Sequence, residues 1–241
     1  MRISLVILVL SSALFLPVGA ATAAFTTTLN PGTRGGVFAI PSRNATEITS
    51  YHSASVLPDS YTHSVVSGGA SSTSQYDYTN DGFLITFTQS REGNEGGSGQ
   101  SNGKVYFSVD QNVDYEASGF YASVDLDGRE LQLSLSLYDW DLGEFVFKSF
   151  QYSQTTVNES FTLGGSGGDY GNDNFGSLFG TLLAGHDYQL NYGVSLRTIS
   201  NDPTGTATAA GYLSFALVPE PSTALLIGMG LVAMSAARRH L

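Results

Sequence analysis

Paired carboxylates are the groups in this 241-residue chain best suited to chemistry. Asp125-Leu126-Asp127 and Asp139-Trp140-Asp141 each set two acids two positions apart, on one strand face or around a turn. Hard oxygen ligands so placed can hold calcium at the rim of a β-sandwich, which makes Asp125, Asp127, Asp139 and Asp141 candidate calcium ligands. The simpler account is that they are solvated turn carboxylates. Two acids also raise glycoside hydrolysis, which needs them about 5 to 9.5 Å apart with one pKa raised. Sequence does not supply that separation, and aspartates at hairpin tips commonly bond to their own turn. Trp140, the single tryptophan, lies between two of these acids. Exposed, it would offer a face for stacking on a sugar ring; buried, it would be ordinary core.

Other patterns that carry chemistry fail on inspection. Gly164-Gly165-Ser166-Gly167-Gly168 satisfies G-x-S-x-G, but a nucleophile elbow needs a helix directly after the serine. Asp169-Tyr170-Gly171-Asn172 does not start one, and His52, His63 and His186 sit in no recognisable partner pattern. The same glycines with Asp169 match six positions of a calcium-binding nonapeptide, yet Gly171 stands where a large apolar residue belongs and no second copy follows. A surface loop is the expectation there. Asp110-Gln111-Asn112-Val113-Asp114 opens like an EF-hand, but Tyr115 replaces the turn glycine and Tyr121 the closing glutamate. Zinc lacks a His or Cys cluster. No catalytic constellation emerges, so the chain is expected not to be an enzyme and, calcium apart, to need no cofactor.

The elements that would position these residues are strands. In Leu131-Gln132-Leu133-Ser134-Leu135-Ser136-Leu137 every second residue is leucine, which puts the leucines on one face of a sheet. Phe83–Thr88, Val105–Val109, Tyr188–Leu196 and Gly211–Leu217 alternate in the same way, and Phe145–Tyr152 is strand-like with apolar residues on both faces. Asp127-Gly128 is a two-residue hairpin signal, and Asp139–Gly143 joins the leucine strand to the next. Leu183-Ala184-Gly185-His186-Asp187-Tyr188 resembles a tyrosine corner, with Tyr188 bonding back to the backbone. Gly93–Gly103 and Gly164–Gly176 read as surface loops, and Ser42–Ser74 as irregular or weak edge strand. No amphipathic helix is found between Phe25 and Leu217. The expected fold is all-β, an antiparallel sandwich or jelly-roll-like single domain.

Ten Lys and Arg face 21 Asp and Glu, a net charge of −11, and three of the ten are terminal: Arg2, Arg238 and Arg239. So acidic a middle disfavours nucleic acid and anionic lipid. Cations and neutral sugars fit better. There is no cysteine, so stability must come from core burial, which about 193 residues can provide.

Both ends look like addresses. Arg2, the apolar run Ile3–Val18 and the small residues Ala20–Ala24 form a signal peptide, 1–24, with signal peptidase cleavage after Ala23 or Ala24. A retained membrane helix is the alternative, against which stand Ser11, Ser12, Pro17 and the lack of a polar stop-transfer flank. At the other end come Val218-Pro219-Glu220-Pro221-Ser222-Thr223, an apolar segment 224–237, then Arg238-Arg239. Fourteen helical residues span about 21 Å, short of a hydrocarbon core of about 30 Å. Such a segment makes a poor permanent anchor, and Gly228 and Gly230 weaken it further. Arg238 and Arg239 would stay cytoplasmic and leave the rest outside. Pro219 and Pro221 keep the preceding strip extended and open to a protease. An ordinary membrane helix or a buried core helix are the alternatives.

These residues resemble the PEP-CTERM sorting signal, carried by 218–241: the motif Val218–Thr223, the short apolar segment, Arg238-Arg239 and the partnering signal peptide coincide. The resemblance implies a Gram-negative source, processing by an exosortase, and a cell-surface or extracellular location after transient anchoring in the inner membrane. It carries no enzymatic residue onto 25–217. Two functions stay open: a structural protein of extracellular polysaccharide or biofilm, and a carbohydrate-binding or glycan-processing sandwich. Trp140 exposed in a groove near carboxylates would favour the second; a flat Ser/Thr face would favour the first.

Overall fold

From Leu131 onward, alternate residues of the leucine segment are buried, with Leu131, Leu133, Leu135 and Leu137 at most 1% exposed. That two-residue period recurs through the described part of the chain and produces strands only. The computed structural model describes residues 26–40, 47–92, 97–124, 128–153, 160–163, 174–199 and 205–218. The strands are β1 (Thr27–Leu29), β2 (Arg34–Ile40), β3 (Ile48–Ser53), β4 (Asp59–Ser67), β5 (Ala70–Thr79), β6 (Gly82–Glu92), β7 (Ser98–Val109) and β8 (Val113–Val124). They continue with β9 (Arg129–Asp139), β10 (Glu144–Ser153), β11 (Ser160–Thr162), β12 (Phe175–Gly176), β13 (Phe179–Leu182), β14 (Asp187–Thr198) and β15 (Thr206–Val218).

Two antiparallel sheets result. The eight-stranded one runs β12-β10-β9-β14-β7-β2-β3 with β1 beside β7, and the seven-stranded one runs β11-β8-β15-β6-β5-β4 with β13 beside β8. Between them lie the inward residues of both, as in other sandwiches. Phe107 of one sheet meets Phe83 and Phe215 of the other with ring centroids 5.2 and 5.8 Å apart. The buried Gln89 is satisfied from both sheets: its Oε1 accepts from the Tyr121 hydroxyl of its own sheet at 2.5 Å, and its Nε2 donates to the Val194 carbonyl of the opposite sheet at 3.3 Å. Full partnering of this kind is what makes a polar group tolerable in a core.

Three local expectations change. Asp127-Gly128 does not close a hairpin: Gly128 does take a positive φ of 63°, but β8 before it and β9 after it belong to different sheets. The stretch Gly93–Gly103 is not simply a loop, because its second half is β7. Glycine is required there by close approach, since a Cβ on Gly99 would lie 2.2 Å from the Ser71 carbonyl of the opposite sheet. Val218, read as the start of the sorting motif, is also the last residue of β15, paired with Asp114. Elsewhere Ser42–Ser74 contributes β3 and β4, the outer strands of the two sheets, and much of β5. Tyr188 does fold back: its hydroxyl oxygen accepts from Leu183 N at 2.7 Å.

Candidate functional site

The outer face of the eight-stranded sheet carries the richest surface chemistry. Strand register fixes its layout: one row crosses the sheet as Tyr51, Gly36, Asn102, Gly193, Ser134 and Phe150. On one side runs Ser53, Arg34, Lys104, Asn191, Ser136 and Lys148; on the other run Thr49, Phe38, Gln100, Ser195, Gln132 and Tyr152. At about 4.8 Å between strands, β3 to β10 spans about 24 Å.

Gly36 and Gly193 interrupt the middle row, and the gap at Gly36 opens a hollow of about 430 Å³. Tyr51, 65% exposed, forms one wall; Phe38, Asn102, Lys104, Asn191 and Arg34 complete the lining. The floor is the backbone of Gly35, Gly36 and Gly103, with Tyr192 packed against it from the core side. A Cβ on Gly36 would come within 2.7 Å of Tyr51 Cβ, so glycine both opens the hollow and lets the tyrosine sit where it does.

The amides around this hollow are held in place. Asn102 Nδ2 donates to Gln100 Oε1 at 3.3 Å, and Gln100 Nε2 to Ser98 Oγ at 2.6 Å. Asn191 Nδ2 donates to Ser136 Oγ at 3.3 Å, and its Oδ1 accepts from Gln189 Nε2. Ser195 Oγ donates to Gln132 Oε1 at 3.1 Å, and Gln132 Nε2 to Glu130 Oε1 at 2.5 Å. Side chains fixed before a ligand arrives lose less entropy when it binds. An aromatic face, oriented amides and a glycine floor are suited to a flat, hydroxylated ring with one apolar side.

The aspartates go elsewhere. Asp125 and Asp127 lie outside the described residues, as do Ser166 with its glycines, the segments 1–24 and 224–237, and the sorting residues Pro219, Glu220, Pro221, Ser222, Thr223, Arg238 and Arg239. Asp139 and Asp141 occupy the β9–β10 turn and join His186 in a group whose ligand atoms fall within 4.8 Å of one another. Each acid already has protein donors. Asp139 Oδ1 accepts from Asp141 N and Leu142 N at 2.9 and 3.0 Å, its Oδ2 pairs with His186 Nδ1 at 2.8 Å, and Asp141 Oδ2 accepts from Asp187 N at 2.7 Å. An imidazole is a poor calcium ligand. The cluster therefore fits a latch between two turns better than an ion site.

That latch titrates. The hydrogen bond that His186 donates to Asp139 raises the His186 pKa above the ordinary 6.5, with the charges of Asp139 and Asp141 acting in the same direction and desolvation opposing. A raised histidine pKa adds stability that is fully present below the unfolded value and lost as pH climbs through the folded one. The melting temperature should fall as pH rises above about 6.5, and His186→Gln should flatten that slope. An unchanged slope in the variant would contradict the assignment.

Trp140 is 56% exposed and packs edge-on against Tyr138 at 5.0 Å, beside the aspartate turn. It does not line the hollow. The seven-stranded sheet bears a Ser/Thr face, but not a flat one: Thr62, Thr73, Thr86 and Thr88 help line a smaller hollow of about 330 Å³. Sequence reasoning missed Tyr51, Gly36, Asn102 and Asn191. Their trace is the run of amides on alternate positions, Gln100 and Asn102 in one strand and Gln189 and Asn191 in another, which glycine-rich surroundings obscured.

Comparison with known proteins adds an address and little else. Residues 217–239 match the PEP-CTERM protein-sorting motif, which marks an exported protein that is held transiently at the membrane and processed by an exosortase. No curated protein matches the chain in sequence. Among solved structures, a carbohydrate-binding module of the β-sandwich superfamily, described as having promiscuous specificity, is 14% identical at a TM-score of 0.26, over 78% of this chain and 74% of that one. Infectious bursal disease virus Gx strain is 13% identical at 0.18, over 83% and 65%, and its VP2 subviral particle 11% identical at 0.18, over 90% and 72%. Likenesses at these scores carry no argument about ligand.

Proposed function

We propose that this chain is an exported, non-enzymatic glycan-binding protein, cut by an exosortase in the Pro219–Thr223 region and retaining extracellular polysaccharide on the outer face of its eight-stranded sheet. The observation that carries the binding part is the hollow of about 430 Å³ between Tyr51 and the fixed amides of Asn102 and Asn191. An exposed tyrosine stacks on the apolar face of a sugar ring, oriented amides meet its hydroxyls, and the bare floor allows close approach. Among the described residues no carboxylate lines this hollow, which supports binding over hydrolysis. The sorting motif supports delivery to the surface or matrix of a Gram-negative cell, where a polysaccharide-binding protein would contribute to biofilm structure. A second reading, a matrix protein with no ligand, draws on the Ser/Thr face of the other sheet.

A glycan array probed with the full chain in mild detergent tests this. Binding should appear, and Tyr51→Ala should weaken it roughly tenfold, the worth of one aromatic contact. If no glycan is retained, or the variant binds as well as the parent, the proposal fails.

A further inference from the structure

The few basic residues of this acidic chain are not scattered. Of the six Lys and Arg among the described residues, Arg91 and Arg129 are buried, at 1% and 0% exposure. The other four, Arg34, Lys104, Lys148 and Arg197, all project from the outer face of the eight-stranded sheet. Arg197 is paired with Glu130 at 2.5 Å, and Glu130 is only 1% exposed. The outer face of the seven-stranded sheet instead presents Asp77, Glu92, Asp114 and Glu116, and no Lys or Arg among the described residues. The eight-stranded face thus carries a basic excess, with Asp187 and the paired Glu130 as its acids, against an acidic seven-stranded face among the described residues.

Arg34 and Lys104 are direct partners across β2 and β7, and both line the hollow. Like charges placed opposite one another on adjacent strands are destabilising. Among the described residues neither forms an ion pair that would offset this. Two adjacent cations at the rim of a sugar-sized hollow complement an anion, and a guanidinium fork matches a carboxylate in particular.

We infer that the polysaccharide held on this face is acidic, bearing uronate-type carboxylates that Arg34 and Lys104 receive while Tyr51 and the amides contact the ring; this rests on the glycan-binding reading above. It reverses the expectation from net charge that neutral sugars fit best, because the −11 total hides the gathering of Arg34, Lys104, Lys148 and Arg197 on one face of the described residues. A nucleic acid duplex, with one charge per about 1.7 Å, would meet the acidic remainder of the protein. A uronate polymer carries at most one charge per ring and leaves hydroxyls for Asn102 and Asn191.

The test uses the full chain in mild detergent and one polymer in two forms: polygalacturonate and its carboxyl-reduced counterpart. Retention should favour the acidic form, fall with added salt as exposed charges are screened, and drop about tenfold with each of Arg34→Gln and Lys104→Gln. Because these changes relieve a like-charge contact, the melting temperature should not fall, which separates lost binding from lost fold. Equal retention of both forms, unaffected by the two variants, would overturn the acidic-ligand inference and leave glycan binding intact. Retention of neither form, together with an empty glycan array, would overturn both. Equal retention of duplex DNA would show general polyanion attraction and would also overturn the inference.

Discussion

Gly103→Ala is expected to be among the most destabilising single substitutions in this protein. The new Cβ would lie 2.0 Å from the Tyr192 hydroxyl oxygen, 2.2 Å from Cζ of that ring and 2.6 Å from the Arg34 carbonyl. Backbone on one side and a buried ring on the other leave no direction for relief. Overpacking a core costs about 1–3 kcal/mol. If Tyr192 is driven out, the loss approaches the roughly 3–5 kcal/mol of an emptied aromatic site, against a total stability of about 5–15 kcal/mol. Gly185→Ala is the matched control: nothing lies within 4 Å of its added Cβ, and only its φ of 77° opposes the change. Chemical denaturation of both variants should show a several-fold larger loss for Gly103→Ala. Equal losses would mean that Tyr192 is not held against the glycine floor, and the hollow on the other side of that backbone would lose its support.

How far the sequence reveals this molecule depends on which force sets each feature. Burial sets the leucine strand, the β14 strand and β15, so their period of two is visible directly. Sheet membership is set by pairing between distant segments, and nothing local at Asp127-Gly128 says that the chain crosses from one sheet to the other. The glycines of β7 mislead because glycine signals flexibility by default, whereas Gly99 and Gly103 are there to admit a neighbouring carbonyl and a tyrosine ring. The hollow was illegible for the same reason: its parts lie on β2, β3, β7 and β14, and register alone brings Tyr51, Gly36, Asn102 and Gly193 into one row. Asp139 and Asp141 were found from spacing, but their partner His186 lies 47 and 45 positions away. Net charge misled because it sums over two faces that differ in sign.

The second large effect concerns the tail. The strand β15 holds Leu217, 3% exposed, and Val218 in the sheet, so the first two residues of the matched sorting segment, 217–239, belong to a strand. A protease needs extended substrate, and the sequence favours it at Pro219 and Pro221, because each proline disfavours α conformation in the residue before it. Replacing both with alanine should abolish processing in the native host, so that the recovered chain keeps Arg238-Arg239. The parent should lose that end. Intact mass decides it: a variant shortened like the parent would show that the proline pair is not what the exosortase reads.

The glycan-binding face itself is tested most directly by NMR of the isotopically labelled full chain in mild detergent, titrated with short oligogalacturonates. The account expects shifts confined to the Arg34 and Lys104 side chains, the Asn102 and Asn191 side-chain amides, the Gly36 backbone and the Tyr51 ring, with the Thr62–Thr73 side unmoved. Shifts centred on Trp140 or on the Ser/Thr face, or no shifts at saturating ligand, would contradict it.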